Sequence, residues 1–491
     1  MNLFLLIIPI LLPVFCGAIL PLFHFQNRKW RQWYVMTVAL ATSITIFFLL
    51  FHRPEGSLLA IKLAGRLEVS FYIDGLGSVF AGLVAALWPI ATLYTFEYMK
   101  HEDNENRFFS FFTMTYGITI GLAFASNLMT LYMFYEMLTL VTLPLVMHQM
   151  KKKSIHAGRK YIFYSISGAA FAFIGFIFIL HYGNGIAFEY GGVLDLAKIG
   201  GRTNLLLLVY VLAVLGFGVK AALFPFHGWL PNASVAPTPV TALLHAVAVV
   251  KAGVFVIMRF TYYSFGTDFL YGSWAQKVII VFAIVTILFG SIRAVKEQHL
   301  KRRLAYSTIS NLSYIIFAVA LMTPLGLVAG LTHMVSHAVI KITLFFCCGA
   351  IYYKTKKEYI HELRGIGKKM PVTMACFTLA ALGLIGIPPL AGFVSKWNIA
   401  TAATYVDSPL AMAGIFALLL SALLTVVYLS SVIVRAYFPG REYEMKTLQG
   451  CEDPNWNMKL PLVLFCISIV ILGVCSIPMV EYFAQIAQGL I

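Results

Sequence analysis

The chain has 491 residues, 60% of them hydrophobic and 11% charged, with a mean hydropathy of +0.84. That composition excludes a soluble domain and describes an integral membrane protein with many spans. The formal net charge of +16 suggests a nucleic-acid or other anionic partner, but its distribution over alternate loops makes it a mark of membrane orientation and argues against nucleic acid.

Apolar runs of about 20 residues predict about fourteen membrane-spanning helices. They lie near 3–23, 34–52, 75–98, 108–125, 127–148, 161–182, 204–225, 237–260, 275–294, 304–322, 325–352, 371–404, 409–438 and 459–482. The first begins almost at Met1 without a basic n-region or a small-residue cleavage site, so it reads as a retained helix rather than a signal peptide. Basic residues gather in alternate loops, as in Arg28, Lys29 and Arg31, in Lys151, Lys152 and Lys153, in Lys301, Arg302 and Arg303, and in Arg435, Arg441, Lys446 and Lys459. The opposite loops carry only Arg53, Lys62, Arg66, Lys198, Arg202 and Lys277. By the positive-inside rule both termini face outward and the basic loops face the cytoplasm.

Two spans carry breaks. After Lys220 comes PFHGWLPNASVAPTP, with Pro225, Pro231, Pro237 and Pro239 close together, and GLIGIPPLAG interrupts the run 371–404. Proline removes a helix donor and clashes with the preceding turn. Irregular backbone at membrane depth is tolerated where it is buried in protein or lines a wet cavity. The prolines are ordinary kinks on one reading. On the other, the seventh and twelfth helices are discontinuous and occupy corresponding positions in two inverted repeats. The expected fold is then an all-α integral membrane protein whose helices 4–8 and 9–13 form two inverted five-helix repeats. The segments run 1–105 for the first three helices, 106–262 and 263–440 for the repeats, and 441–491 for the last helix.

Lys220, Lys251, Lys341 and Lys396 all fall inside apolar runs, and Glu136 is the one acid placed at comparable depth. A lysine at mid-membrane costs at least ~2.5–3.5 kcal/mol on insertion scales. An amine in a low dielectric also switches readily between charged and neutral forms. Glu136 and Lys220 sit about mid-span, and pairing them opposes the effect of burial on each, so that parting them drives the lysine to release a proton. A static ion pair tying two helices is the plainer alternative, and one contact serves both. Lys251 follows His245 by six residues, and His333, His337 and Lys341 at i, i+4 and i+8 share one helix face. Histidine titrates nearest neutral pH and is a natural relay between lysines, although a lone buried histidine is more often a packed core residue. Ser307, Ser310, Asn311, Ser313 and Ser336 offer places for water chains, though such hydroxyls usually cap or pack. The seven cysteines show no CxxC pair and no metal-ligand spacing. Cys347 and Cys348 read as packing residues. No phosphate-cradling or dinucleotide motif appears, so neither cofactor nor metal is expected in this chain.

Four stretches carry a resemblance: PFHGWLPNASVAPTPVTALLHAVAVVKAGVF, HLKRRLAYSTISNLSY, HMVSHAVIKITLFF and GIPPLAGFVSKW. They resemble signatures of the antiporter-like membrane subunits shared by respiratory complex I, Mrp-type Na⁺/H⁺ antiporters and membrane-bound hydrogenases. The resemblance implies fourteen helices, the two inverted repeats and a central hydrophilic axis. Glu136 matches the family's helix-5 glutamate and Lys220 its helix-7 partner. Lys251 matches the connecting lysine of helix 8. His333, His337 and Lys341 match the helix-11 relay, and Lys396 the terminal position of helix 12. Two departures stand out. His299 occupies a position that is usually aspartate, ahead of Lys301 and Arg302, and the chain ends shortly after helix 14, like the shorter members of the D-type or hydrogenase-linked kind.

The function expected is a proton-translocating member of a redox-driven, complex I-related membrane complex, without a catalytic centre of its own. The alternative is the D-type subunit of an Mrp Na⁺/H⁺ antiporter, and a standalone permease gives no account of the lysine row. The partners expected are other membrane subunits, the lipid bilayer of the inner or plasma membrane, and protons, with sodium left open.

Overall fold

The structure, a computed structural model, describes residues 3–490 except 24, 26, 55 and 440–450. Arg441 and Lys446 of the basic loops lie outside the described residues. Helices α1 (Ile8–Ile19), α2 (Arg28–Phe51), α3 (Gly75–Tyr98), α4 (Glu105–Ala123), α5 (Leu128–Val146) and α6 (Lys152–Tyr182) come first. They are followed by α7 (Thr203–Gly218), α8 (Thr238–Phe265), α9 (Trp274–Lys296), α10 (Leu300–Ala320) and α11 (Pro324–Thr355). Then come α12 (Pro371–Ile385), α13 (Ala391–Tyr405), α14 (Pro409–Tyr437), α15 (Trp456–Val474) and α16 (Ile477–Ala487). Side-chain caps fix where several begin. Asn127 accepts from Thr130 N at 2.8 Å, Ser273 from Gln276 N at 3.2 Å, Thr323 from Gly326 N at 3.1 Å and Ser408 from Ala411 N at 3.1 Å, each satisfying an amide that the first turn leaves unpaired.

Among the described residues nine helices are long and apolar enough to cross a membrane, and three shorter apolar ones accompany them. The bundle is multi-pass and helical, as expected, and the count of fourteen remains the sequence's own. The one sheet among the described residues is a hairpin, Leu58–Lys62 against Glu68–Phe71, with Leu58 opposite Phe71. The last apolar run also differs: it ends at Val474, and Ser476–Pro478 starts a separate helix, α16.

Burial ranks the helices. The apolar window of α8 is 100% enclosed by protein and that of α11 is 94%, against 39% for α2 and 33% for α14. The two enclosed helices are the ones that carry His245 and Lys251, and His333, His337 and Lys341. Helix α8 is not uniform, because it widens into π-turns at Leu243–Val247 and Phe260–Phe265, a distortion frequent at functional sites.

Both expected breaks are present. Span seven ends as a helix at Gly218 and resumes as short turns from Phe226. Span twelve stops at Ile385 and restarts at Ala391. The sequence pattern puts Lys220 ahead of the first break; the structure puts it inside, two residues past the last helical one. The helix yields earlier than the first proline because Gly216 and Gly218 are poor helix formers and because Ala222 takes a left-handed turn, φ 56°.

Candidate functional site

The break in span seven is held by hydrogen bonds that replace the lost helical ones. Leu223 N donates to Gly218 O at 2.9 Å, Trp229 Nε1 to Val219 O at 2.7 Å and Phe224 N to Thr286 Oγ1 at 3.1 Å. The irregular strand of backbone then presses on α8 at Gly253, where an added Cβ would lie 2.6 Å from Ala221 N and 2.9 Å from the Lys220 carbonyl carbon. Only glycine admits that approach, which sets the Lys220 backbone against α8 at a point two residues past Lys251.

Lys220 reaches α5. Its ammonium lies 3.4 Å from Glu136 Oε1 and 3.2 Å from the centre of the Tyr135 ring, and it donates to the Tyr135 carbonyl. The lysine side chain is 1% exposed and the glutamate 26%. The pair is therefore lopsided. The amine depends on the contact because it is cut off from water, whereas the carboxylate keeps an open side. A ring face adds a cation–π attraction that strengthens where water is excluded.

The remaining lysines have no carboxylate beside them. Lys251 Nζ and His337 Nδ1 are 2.7 Å apart, both wholly buried. His337 and His333 stack at 5.8 Å, and His333 Nδ1 lies 2.9 Å from Ser395 Oγ. Ser395 precedes Lys396, whose ammonium donates to Leu384 O at 2.8 Å and Ile385 O at 2.9 Å. Those carbonyls are freed because α12 stops at Ile385. A helix C-terminus presents unpaired carbonyls and the negative end of its dipole. The second break thus makes the cation site that Lys396 fills. Lys341 sits to one side, donating to Leu304 O at 2.9 Å and to the Ser307 hydroxyl of α10.

The structure therefore joins Glu136 to Lys220, Lys251 to His337 and His333 to Ser395, with the two histidine rings stacked between them and Lys396 next in the chain after Ser395. It does not join His245 to either group by a hydrogen bond: neither ring nitrogen has a partner among the described residues, and the ring lies 4.8 Å from that of Phe345. Lys341 remains within electrostatic reach of His245 and of His337.

Several participants carry no signal in the sequence. Ser395 stands beside Lys396 in the motif but has no charge to mark it. Ser421 accepts from Tyr314 OH at 2.6 Å and sits 2.5 Å from Ser291 and 3.0 Å from Ser310, forming a hydroxyl cluster under the Tyr314 ring that Lys396 faces at 5.6 Å. Arg259, at the end of α8, is a further buried cation that the apolar-run argument does not pick out. It pairs with Asp74, reaching Oδ1 at 2.5 Å, and faces the rings of Phe188, Phe255 and Tyr263. Asp74 also caps α3 through Gly77 N at 2.8 Å. Glu97, at the end of α3, is a further buried acid, held by Lys100 at 2.7 Å, Asn455 at 3.1 Å and Tyr353 at 3.2 Å.

Fold and site together define a multi-pass membrane protein with a row of ionisable groups through its interior and two broken helices beside them. Residues 125–425 match the family described as NADH:quinone oxidoreductase/Mrp antiporter, TM, and residues 62–109 match NADH-Ubiquinone oxidoreductase (complex I), chain 5 N-terminus. The chain is 31% identical over 438 residues to NADH-quinone oxidoreductase subunit N of Desulforudis audaxviator (strain MP104C), covering 85% of this chain and 84% of that one. It is 31% identical over 474 residues to a probable K⁺/H⁺ antiporter subunit, of the A/B type, from Rhizobium meliloti (strain 1021), covering 95% of this chain. Of that relative it spans 46%, about half its length. The fold is shared, at a TM-score of 0.83 and 21% identity, with a chain of the membrane-bound sulfane sulfur reductase, an archaeal respiratory membrane complex, over 99% of this chain and 97% of that one. This chain belongs to the NADH:quinone oxidoreductase/Mrp antiporter transmembrane family.

Proposed function

We propose that the chain is a proton-translocating, antiporter-like subunit of a complex I-related, redox-driven membrane complex of the NADH dehydrogenase or hydrogenase type. The observation that carries this reading is the buried row in which Lys251 is hydrogen-bonded to His337, His337 stacks on His333, His333 is hydrogen-bonded to Ser395 and Lys396 follows next in the chain, inside a shell of apolar helices. Four buried lysines are costly, and a fold retains them where their charge changes do work. In this reading Glu136 sets the charge state of Lys220, Lys251 connects the halves, and His333, His337 and Lys341 relay protons toward Lys396. His245 adds a titratable group beside Lys341. The two five-helix segments 106–262 and 263–440 each supply one break and one lysine beside that break, Lys220 and Lys396. The chain lies in the inner or plasma membrane, with both termini outward and partner subunits along its flanks.

A second reading has comparable support. The family takes in Mrp antiporters, and one relative named above is a K⁺/H⁺ antiporter subunit. There a cation gradient replaces electron transfer and the interior row works unchanged. That relative is of the A/B type rather than the D type expected from chain length.

Glu136→Gln tests what the two readings share. Glutamine keeps the volume and removes the charge that faces Lys220. The purified complex carrying it should assemble normally and lose proton translocation in vesicles. Wild-type pumping by that variant would leave Glu136 a structural residue and remove the ground for a switched Glu136–Lys220 pair.

A further inference from the structure

Lys301 groups by sequence with the orienting charges of the basic loops, yet its side chain is buried. It makes no side-chain hydrogen bond or ion pair among the described residues, and its ammonium faces the Tyr352 ring at 5.2 Å. Two polar cavities lie against its neighbours, one at His299 and Arg302 beside it in the chain, the other at the Tyr352 ring that it faces. One, of about 550 Å³, is lined by Lys153, Ser234, His299, Arg302 and Glu358; the other, of about 270 Å³, by Glu102, His148, Tyr352 and Lys356 among others. Both have room for several waters, each of which takes about 30 Å³.

The larger cavity is a built feature. The segment before α10 pairs with the loop after α11, Leu300 N donating to Glu358 O at 2.9 Å and Ile360 N to Gln298 O at 3.1 Å. That pairing brings His299 Nε2 to 3.6 Å from Glu358 Oε2 and leaves His299 Nδ1 buried without a partner. The acid absent at position 299 is thus supplied from the next loop. The neighbouring His299 ring holds the Glu358 carboxyl below its ordinary range, so at neutral pH it is a fixed negative charge at the cavity wall. Glu358 and Glu102 both lie within electrostatic reach of Lys301, and Cys348 lies within reach of Lys301 and Lys341 alike. Lys153, in the first turn of α6, lies within electrostatic reach of Glu358.

We infer that Lys301, flanked by Glu358 and Glu102 in the adjoining cavities, is the proton-loading group of the basic-loop face and hands protons inward to Lys341. The inference rests on the transport reading above. The step is a plain transfer. A proton arriving at the His299–Glu358 pair passes through cavity water to the neutral amine of Lys301 and regenerates the pair. The ammonium then gives it to the neutral amine of Lys341, which is held on Leu304 O and Ser307. The acidic walls draw protons in, while Lys153, Arg302 and Lys356 offset them enough to keep the mouth from trapping other cations.

The test uses the assembled complex in vesicles, with protons supplied on the basic-loop face and the rate followed against pH. Lys301→Met should lower the rate about 100-fold, the lower end for loss of a proton-transfer group. Glu358→Gln, on the cavity rim, should slow transport most at alkaline pH, where bulk protons are scarcest, and so move the profile toward acid. Variants that assemble in wild-type amount and keep both rate and profile overturn the port. If Lys301→Met fails to assemble, the profile of Glu358→Gln decides alone. Two controls separate the ideas: an inactive Glu136→Gln beside an unaltered Lys301→Met removes only the port, whereas a wild-type complex that moves no protons in these vesicles removes the transport reading itself.

Discussion

Each buried lysine is stabilised by a different device, and the devices have different consequences. Lys220 has a carboxylate, a ring and a carbonyl; Lys251 has a histidine; Lys396 has two helix-end carbonyls. A lysine held by carbonyls loses only donors when it becomes neutral, because the carbonyls carry no charge to strand. Lys220→Ala and Lys396→Ala should therefore each cut transport by about 100-fold or more, while Lys152→Ala at the exposed start of α6 leaves the wild-type rate in the same vesicle assay. Equal losses at all three positions would indicate failed assembly. His337 should be more sensitive than His245. His337→Phe removes the hydrogen bond to Lys251, whereas His245→Phe swaps one ring for another against Phe345, so the first should slow translocation about tenfold more than the second. The sequence announces the charged members of this row because charge in an apolar run is costly and conspicuous. It is silent on Ser395, Ser421 and the Tyr135 carbonyl, since a hydroxyl or a backbone oxygen carries no signal until the fold places it beside an amine. Arg259 and Asp74 escape notice for a related reason: each falls at a span end, where a charge is ordinarily solvated.

At the scale of elements the two breaks are what convert apolar helices into cation sites. Proline and glycine make both legible, yet the prolines place the first break too late, because the helix fails at Gly218, well before Pro225 is reached. The hairpin Leu58–Lys62/Glu68–Phe71 and the separate helix α16 are not legible in the pattern; their residues read as loop and as span continuation. The second break depends on contact between its own halves. A Cβ at Gly392 would lie 1.8 Å from Gly383 O, a backbone atom that no rotamer change can move. Gly392→Ala should force α12 and α13 apart, costing about 1–3 kcal/mol as overpacking and loosening the carbonyls that hold Lys396. Thermal unfolding of the purified protein in detergent should show the loss, and translocation should fall with it. Gly191→Ala, where the added carbon meets open space but the φ of +96° is strained, serves as the control: stability drops there without a change in the rate of the folded fraction.

For the whole molecule, the question is what keeps the first three helices registered on the helices that carry the row. The enclosure of α8 and α11 requires that α3 pack along them, and the described ties at the two ends of α3 are polar. At one end Asp74 caps the helix and pairs with Arg259 at the end of α8; at the other Glu97 gathers Lys100, Tyr353 and Asn455. Both ties cross between segments that the sequence alone sets apart at residue 105, so the division into segments does not make them separate bodies. The Asp74–Arg259 pair is the more consequential, because the arginine is almost wholly enclosed by Phe188, Phe255 and Tyr263. Removing one partner of a buried pair strands the other charge and costs about 3–5 kcal/mol, whereas replacing both with apolar residues is often close to neutral. Asp74→Asn should therefore lower the unfolding temperature in detergent sharply. Arg259→Met should lower it less, since Asp74 keeps its cap to Gly77 and a partly open side. The double variant should regain most of the loss if the damage comes from a stranded guanidinium. A double variant as unstable as Asp74→Asn alone would place the effect in the lost helix cap instead, and the tie between α3 and α8 would then rest on packing of their apolar faces.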